Sequence, residues 1–225
     1  MSKGFFITGT DTEIGKTTIS LGLINVLQHA GHKVSAMKPV ASGCVLQNGA
    51  LRNDDALKLI AACNQELIYD QVNPYAFEPP IAPHIAAEQV GVIINISTIC
   101  DLANTLQSES DYCIIEGAGG WLVPLNENNT IEDLAIALKL PVILVVGLRL
   151  GCINHATLTA KAIQNSGLVL AGWVANHCNK DIEQADKMIG SLKQRIDAPC
   201  IGVVDYLYKL DAEAVGSNMD ISLLT

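Results

Sequence analysis

The sequence predicts an α/β fold in which helices flank one mainly parallel, doubly wound sheet. Three observations lead to this prediction. Short apolar runs alternate with segments of helical periodicity along most of the chain, the pattern of parallel strands joined by crossover helices. Hydrophobic residues make up 49% of the chain and charged residues only 16%, so several strands must be buried on both faces. The 225 residues suit a single domain covering residues 1–225.

The predicted elements follow one another in a regular order. A strand over residues 5–7 leads to a helix that begins near Lys16, carries apolar residues at helical spacing and stops at Gly31. A second strand, over residues 33–37, ends before Pro39, which has no N–H for a ladder. Further strands are predicted over residues 111–116, 141–147, 169–175 and 200–204. Further helices are predicted near residues 54–63, 96–107, 131–139, 153–165 and 182–195.

The chain between the second and third of these strands is unusually long. About seventy residues, 40–110, separate them, which is far more than one crossover requires. We therefore expect a substrate pocket to be built from this part of the chain.

The first strand and the first helix enclose a loop suited to phosphate. Residues 9–18 read GTDTEIGKTT, so five residues separate the first glycine from Gly-Lys-Thr, one more than in the usual phosphate-loop pattern. Glycine and the start of a helix offer N–H groups to a phosphate. Lys16 can then reach the β- and γ-phosphates of ATP, and the Thr17 hydroxyl can ligate Mg²⁺. The alternative is a plain strand-to-helix turn, but the flanking elements favour a P-loop NTPase-like fold.

Charged residues at the ends of other strands are the next candidates. Glu116 closes a buried strand and precedes three glycines, so it is the leading carboxylate ligand for Mg²⁺, although it could merely end the strand. Lys38 also stands at the carboxyl end of a strand, where it could share a triphosphate with Lys16 or be an ordinary exposed lysine. Asp54 and Asp55 open a helix, and the sequence does not decide between capping and metal binding.

Composition excludes several classes of partner. The net charge of −9 argues against non-specific nucleic-acid binding and against docking on an anionic membrane. The seven cysteines are scattered and never form Cys-x-x-Cys, which indicates reduced thiols rather than a disulfide frame or a zinc site. No apolar run reaches transmembrane length, and the chain starts directly with strand-like residues. We therefore expect a cytoplasmic protein without a signal peptide.

The base of the nucleotide is predicted to be adenine. Asn176 closes a strand and could hydrogen-bond a purine edge through its amide. Guanine recognition would need a following carboxylate in an Asn-Lys-x-Asp pattern, which residues 176–179, reading NHCN, lack.

With these residues in view, the chain resembles the dethiobiotin synthetases, the ATP-dependent enzymes of biotin synthesis. Matching stretches occur in order over most of the chain, and together they are far more specific than the phosphate loop alone. They are residues 9–17 (GTDTEIGKT), 38–43 (KPVASG), 51–56 (LRNDDA), 72–75 (VNPY), 116–121 (EGAGGW), 151–155 (GCINH) and 172–176 (GWVAN).

The resemblance implies a reaction and a set of site residues. CO₂ and 7,8-diaminononanoate form a carbamate, ATP phosphorylates it, and the second amine closes a cyclic urea with release of ADP and phosphate. Lys16 and Lys38 are the implied catalytic residues, and Mg²⁺ would lie among Thr17, Asp55 and Glu116. The implied nucleotide site consists of Glu13, Ile14, Gly15, Lys16, Thr17, Thr18, Asp55, Glu116, Gly117, Ala118, Gly119, Asn176, His177, Asp205, Tyr206 and Leu207.

The resemblance also implies a homodimer with the active site at the subunit interface. The diamine would meet Thr12 and Ser42 in one subunit. Its carboxylate would be held by Gly151, Cys152 and Asn154 of the other subunit.

The chain departs from the family near its end. Asp205 stands where the family commonly has proline, and Ala212 stands where a related enzyme has glutamate. Nucleotide selectivity therefore stays open.

Two other functions are compatible with the phosphate loop alone. A partition-type nucleotide-switch ATPase would carry an extra lysine early in the loop, where Asp11 stands here. A small-molecule kinase that stops at the phosphoryl ester is disfavoured only by the matches over residues 38–42 and 151–154.

Overall fold

The computed structural model describes residues 3–224 of the chain. Its strands are β1 (Lys3–Gly9), β2 (Val34–Met37), β3 (Val40–Ala41), β4 (Val45–Gln47), β5 (Ala50–Arg52), β6 (Tyr75–Ala76), β7 (Tyr112–Glu116), β8 (Val142–Gly147), β9 (Leu170–Asn176) and β10 (Cys200–Val204). Its α-helices are α1 (Lys16–His29), α2 (Asp54–Ala62), α3 (Tyr69–Val72), α4 (Pro83–Gln89), α5 (Ile96–Ser108), α6 (Ile131–Leu138), α7 (Cys152–Asn165), α8 (Ala185–Lys193) and α9 (Ala212–Ser217). A 3₁₀ turn follows at Ile221–Leu223.

Six of the strands form one parallel sheet in the order β10-β9-β8-β1-β7-β2. Strands β7 and β2 therefore lie on one side of β1 in the sheet. Strands β8, β9 and β10 follow one another on the other side of β1. The predicted doubly wound, mainly parallel sheet is confirmed. Ligands of such sheets bind beyond the carboxyl ends of the strands, where the strand order reverses. That point lies at β1, between β7 and β8.

Both faces of the sheet are buried. Alternate residues of the central strand β1 face opposite sides, so that Phe6 joins one apolar cluster and Ile7 the other. The first cluster is covered by α4 to α8, and the second by α1, α2 and α9. This arrangement accounts for the high apolar content, because a strand covered on both faces reads as a continuous apolar run.

The predicted elements differ from the observed ones mainly at their ends. The last predicted helix, over residues 182–195, is shorter in the structure, because Gln184 has a left-handed backbone (φ +60°) and α8 begins only after it. The short helices α3, α4 and α9 were not predicted, since each has at most two turns and little periodicity to recognise. Among the helices of residues 3–224, none combines the length and the hydropathy needed to cross a membrane.

Candidate active site

The phosphate loop joins β1 to α1 at the ligand edge of the sheet. Gly15 is the residue before α1 and has φ +91°, a conformation that favours glycine. A β-carbon at Gly15 would lie 2.2 Å from Nδ2 of Asn176, so the loop has no room for a side chain there. The first turn of α1 carries no acidic residue, which leaves its N–H groups facing a site suited to an anion.

Lys16 lies in this loop with its side chain largely buried. Its ammonium donates a hydrogen bond to the backbone oxygen of Asp11 at 2.8 Å. Burial, followed by repulsion from the Lys38 ammonium, lowers the pKa of Lys16 to about 8, while Glu116 and Asp55 oppose the shift. The two ammonium groups are therefore close enough for the charge of one to influence the other.

Glu116 is the centre of the polar network. Its carboxylate, at the end of β7, is completely buried. One carboxylate oxygen accepts hydrogen bonds from the Thr17 hydroxyl at 2.8 Å and from the Lys38 ammonium at 2.6 Å. The other oxygen accepts from the Ser20 hydroxyl at 2.9 Å. Every charge-bearing oxygen of this buried group thus has a donor, as burial of a carboxylate requires.

Lys38 follows β2 and is also buried. Besides Glu116, its ammonium contacts the backbone oxygen of Gly117 at 3.3 Å and the Asp55 carboxylate at 3.7 Å. Burial by itself would lower the pKa of Lys38, but the Glu116 and Asp55 carboxylates outweigh burial, so the pKa is raised above its ordinary value. Lys38 is therefore a charged, buried lysine and not an ordinary exposed one.

Asp55 lies on the site side of α2, whereas the cap of that helix is a different residue. The Asn53 side chain accepts the hydrogen bond from the Ala56 N–H, so capping does not occupy Asp55. Its carboxylate is half-exposed and faces Lys38.

The donor set of Thr17, Asp55 and Glu116 fits Mg²⁺ bound together with a nucleotide. Within residues 3–224 no group of three or more His, Cys, Asp or Glu side chains forms a metal cage. A hydroxyl with two carboxylates suits Mg²⁺, which keeps several waters and takes further oxygens from phosphates. The Lys38 ammonium lies 2.6 Å from the Glu116 carboxylate and 3.7 Å from the Asp55 carboxylate, so both carboxylates face the same positive charge.

The glycines after β7 allow that segment to approach the phosphate loop closely. Gly119 has φ +64°, and a β-carbon there would lie 3.5 Å from the Thr12 hydroxyl and 2.8 Å from the Val123 side chain. Gly117 and Ala118 belong to the same segment. The Ser42 hydroxyl, beyond β3, is buried and has no hydrogen-bond partner among residues 3–224.

The residues predicted to bind the base gather at the ends of β9 and β10. The Asn176 amide donates to the backbone oxygen of Ile14 at 2.8 Å, so one of its hydrogens supports the phosphate loop. Nδ1 of His177 lies 3.0 Å from the backbone oxygen of Val204 and 3.6 Å from the Asp205 carboxylate. The other predicted nucleotide-site positions lie in two places. Tyr206, which is exposed, and Leu207, which is half-buried, follow β10. Glu13 is instead an exposed residue of the phosphate loop, and Thr18 is half-buried in the first turn of α1.

The segment predicted to hold the substrate carboxylate opens α7. Gly151 precedes the helix with φ +94°, Cys152 is buried and Asn154 is exposed. Arg149, just before it, forms an ion pair with Asp11 of the phosphate loop. In this chain the two segments are therefore joined at their exposed surfaces.

The sequence did not predict two of the contacts in this site. Ser20 binds Glu116, and its only signal was its place one helical turn after Lys16. The Arg149–Asp11 pair joins residues 138 positions apart, for which a single sequence gives no signal.

Sequence comparisons match most of the chain to known proteins. A family model described as an AAA domain, AAA_26, matches residues 3–214. The ATP-dependent dethiobiotin synthetase BioD of Pseudomonas paraeruginosa is 49% identical over 218 residues, which cover 96% of each chain. The enzyme of that name from Cellvibrio japonicus is 47% identical over 222 residues, 99% of this chain and 97% of its own.

Solved structures show a similar fold at low sequence identity. The MinD cell division protein of Aquifex aeolicus has a TM-score of 0.58 and 15% identity, over 98% of this chain and 89% of that one. A ParA family ATPase from Chlorobium tepidum has a TM-score of 0.58 and 14% identity, over 100% of this chain and 92% of that one. At such identities the likeness concerns the fold alone.

Proposed function

Because the chain belongs to the ATP-dependent dethiobiotin synthetases and is thus an ATP-dependent ligase of biotin synthesis, we propose that it closes the ring of dethiobiotin. In this proposal 7,8-diaminononanoate and CO₂ form a carbamate. A carbamate oxygen attacks the γ-phosphorus of ATP and ADP leaves. The second amine then attacks the carbonyl carbon of the mixed anhydride, phosphate leaves, and a cyclic urea results.

One observation supports this reaction above the others: a second buried lysine, Lys38, shares the phosphate-loop site with Lys16. Transfer of a phosphoryl group to a weak carbamate nucleophile needs positioning and neutralisation of charge rather than a strong base. In the proposal Lys16 binds the β- and γ-phosphates, and Lys38 turns from Glu116 towards the carbamate and the transferred group. The diamine is oriented by Thr12 and by the half-buried Ser42, whose hydroxyl has no hydrogen-bond partner in the described part of the chain.

The proposal assigns Mg²⁺ to Thr17, Asp55 and Glu116. Bound with ATP, the ion would neutralise charge that develops on the β- and γ-phosphates. The chain's own part is to hold these oxygens in place: Ser20 orients Glu116, and the Asn53 cap fixes the start of α2, which carries Asp55.

On the base side, the proposal assigns adenine to Asn176. The amide group of Asn176 donates to Ile14, which leaves the side-chain oxygen as an acceptor for an exocyclic amine. His177, Asp205, Tyr206 and Leu207 would line the remainder of the base site.

The proposal includes a homodimer in which two subunits share each site. The diamine bears a carboxylate far from its amines, and the free N–H groups at the start of α7, with Asn154, could hold it from the partner subunit. Two large apolar side chains beside this segment, Leu150 and Leu158, are 94% and 60% exposed, and a partner would cover them.

One incubation tests the proposed reaction. The protein is mixed with the diamine, bicarbonate and Mg-ATP, and products are separated by mass spectrometry. We expect the cyclic urea with equal amounts of ADP and phosphate. Folded Lys16→Gln should lose at least about 10²–10³ in turnover, because a charge on the transferred group is removed. A phosphate ester in place of the urea would make the chain a kinase. Near-normal turnover of Lys16→Gln would contradict this assignment of the loop.

A further inference from the structure

Tyr69 is a half-buried tyrosine whose hydroxyl joins two parts of the candidate site. It accepts a hydrogen bond from the backbone N–H of Asn53 at 2.7 Å and donates one to the Asn73 side chain at 2.8 Å. Both asparagines are buried. The hydroxyl therefore lies between two segments that are about 20 residues apart in the sequence and satisfies a buried group on each.

Asn73 is in turn hydrogen-bonded to the backbone of Lys38. Its amide nitrogen donates to the backbone oxygen of Lys38 at 2.6 Å. The N–H of Lys38 donates to the backbone oxygen of Val72 at 2.9 Å. The backbone of Lys38 is therefore held on both sides by the segment that begins with α3, and its ammonium is held separately by Glu116.

The other partner of Tyr69 fixes the start of α2. Asn53 is the N-cap of that helix, where its side chain accepts from the Ala56 N–H at 3.1 Å. Asp55 lies between Asn53 and Ala56, and its carboxylate faces Lys38. A displacement of the cap would therefore move Asp55 relative to Lys38.

We propose that Tyr69 is a positioning residue: through Asn73 and Asn53 it holds Lys38 and Asp55 at the relative positions that phosphoryl transfer requires. The inference rests on the proposed function, because it takes Lys38 and Asp55 as the groups that act on the transferred phosphoryl group and its metal ion. The ring of Tyr69 makes a separate contact, since the Arg52 guanidinium stacks on it at 4.0 Å from the ring centroid. The hydroxyl can therefore be removed while this packing is kept.

The test compares Tyr69→Phe with Tyr75→Phe. Tyr75 is a matched control, because its hydroxyl accepts from the backbone N–H of Asn95 at 3.0 Å, and Asn95 is the N-cap of α5, which carries none of the candidate site residues. Each variant thus loses one hydroxyl contact to a helix cap. The measurements are kcat, KM for ATP, ADP affinity in the presence of EDTA, and the melting temperature.

We expect the two variants to differ in kcat and not in binding. Tyr69→Phe should lower kcat by about tenfold to a hundredfold, because a displacement of about 1 Å in a catalytic group costs that much. Its KM for ATP and its ADP affinity should stay within about twofold of wild type, the pattern of an interaction that matters only in the transition state. Tyr75→Phe should keep all these values within about twofold of wild type.

The other outcomes overturn the inference. One such outcome is an unchanged kcat in Tyr69→Phe. The other is an equal loss of kcat in the two variants, in proportion to the fall in their melting temperatures. If Tyr69→Phe does not fold, Asn73→Ser, which removes the donor to Lys38, must show the same selective loss of kcat. Failure of both to fold, with Tyr75→Phe folded, would make the network a folding element only.

The wild-type arm separates this inference from the proposed function. If wild type forms no cyclic urea, the proposed function fails. The ratio of the Tyr69→Phe and Tyr75→Phe rates, measured as ADP released from Mg-ATP, still decides whether Tyr69 positions the phosphoryl-transfer groups.

Discussion

Two buried lysines face the same carboxylates, and their pKa values move in opposite directions. Burial lowers the pKa of Lys16 to about 8, whereas Glu116 and Asp55 raise the pKa of Lys38 despite its burial. The difference lies in their direct partners: Lys38 touches two carboxylates, whereas the hydrogen-bond partner of the Lys16 ammonium within residues 3–224 is the backbone oxygen of Asp11. A phosphate bound beside Lys16 would therefore raise the pKa of Lys16, because a nearby opposite charge favours the charged form.

We expect ADP binding to take up a proton at Lys16 in mildly alkaline solution. At pH 8.5, above a pKa of about 8, most free protein carries neutral Lys16, and the β-phosphate favours the charged form. ADP affinity should thus fall as pH rises through this range. Calorimetric titration in two buffers of different ionisation enthalpy measures the uptake. Lys16→Gln is the control, and equal uptake in that variant would assign the proton to another group.

At this scale the sequence predicted the charged residues better than their partners. Lys16, Thr17 and Glu116 follow from a local motif and from strand ends, which a single sequence contains. Ser20, Tyr69 and Arg149 act through contacts with distant segments, and these contacts exist only once the chain has folded. The structure also assigns the cap of α2 to Asn53 rather than to Asp55, which the sequence alone did not decide.

At the scale of elements, α9 depends on a close approach to α1 that two glycines permit. A β-carbon at Gly22 of α1 would lie 2.3 Å from the Val215 side chain, and one at Gly216 of α9 would lie 2.7 Å from Val26. The six-residue α9 has too few turns to be stable alone, so packing on α1 must hold it. This also explains why local sequence pattern did not predict it.

We expect Gly22→Ala to destabilise the protein by about 1–3 kcal/mol, because the added methyl group overpacks the contact with α9. Gly190→Ala in α8 is the matched control, since within residues 3–224 no atom beyond its chain neighbours and the backbone of its own helix lies within 4 Å of the added β-carbon. That change should stabilise by about 0.5–1 kcal/mol through helix propensity. Urea unfolding of both variants measures the difference. Equal effects would mean that the α1–α9 contact adapts without cost.

The longer elements were predicted well because their apolar patterns reflect the whole molecule. Strands β7, β8 and β9 read as continuous apolar runs because helices cover both faces of the sheet. The small pairs β3–β6 and β4–β5 have two or three residues per strand, too few for any period to be recognised.

At the scale of the assembly, we expect two inactive variants to restore activity together. Lys16→Ala removes the phosphate-loop lysine, and in the proposed homodimer Asn154→Asp would add repulsion to the substrate carboxylate. After joint unfolding and refolding in equal amounts, half of the dimers should be mixed and half of their sites intact. Random pairing then gives roughly a quarter of wild-type activity. Mixed dimers that form and stay inactive would show that one chain holds the whole substrate.

The Lys38–Glu116 contact has one further consequence, which concerns folding rather than catalysis. Because this lysine supplies the counter-ion of a fully buried carboxylate, the folded chain needs no metal ion to balance that charge. EDTA should therefore leave the melting temperature unchanged. Lys38→Leu should lose about 3–5 kcal/mol of stability, the usual cost of a buried charge without its partner. Synthesis by any Lys38 variant must accordingly be expressed per folded molecule, with the folded fraction measured by circular dichroism at the assay temperature.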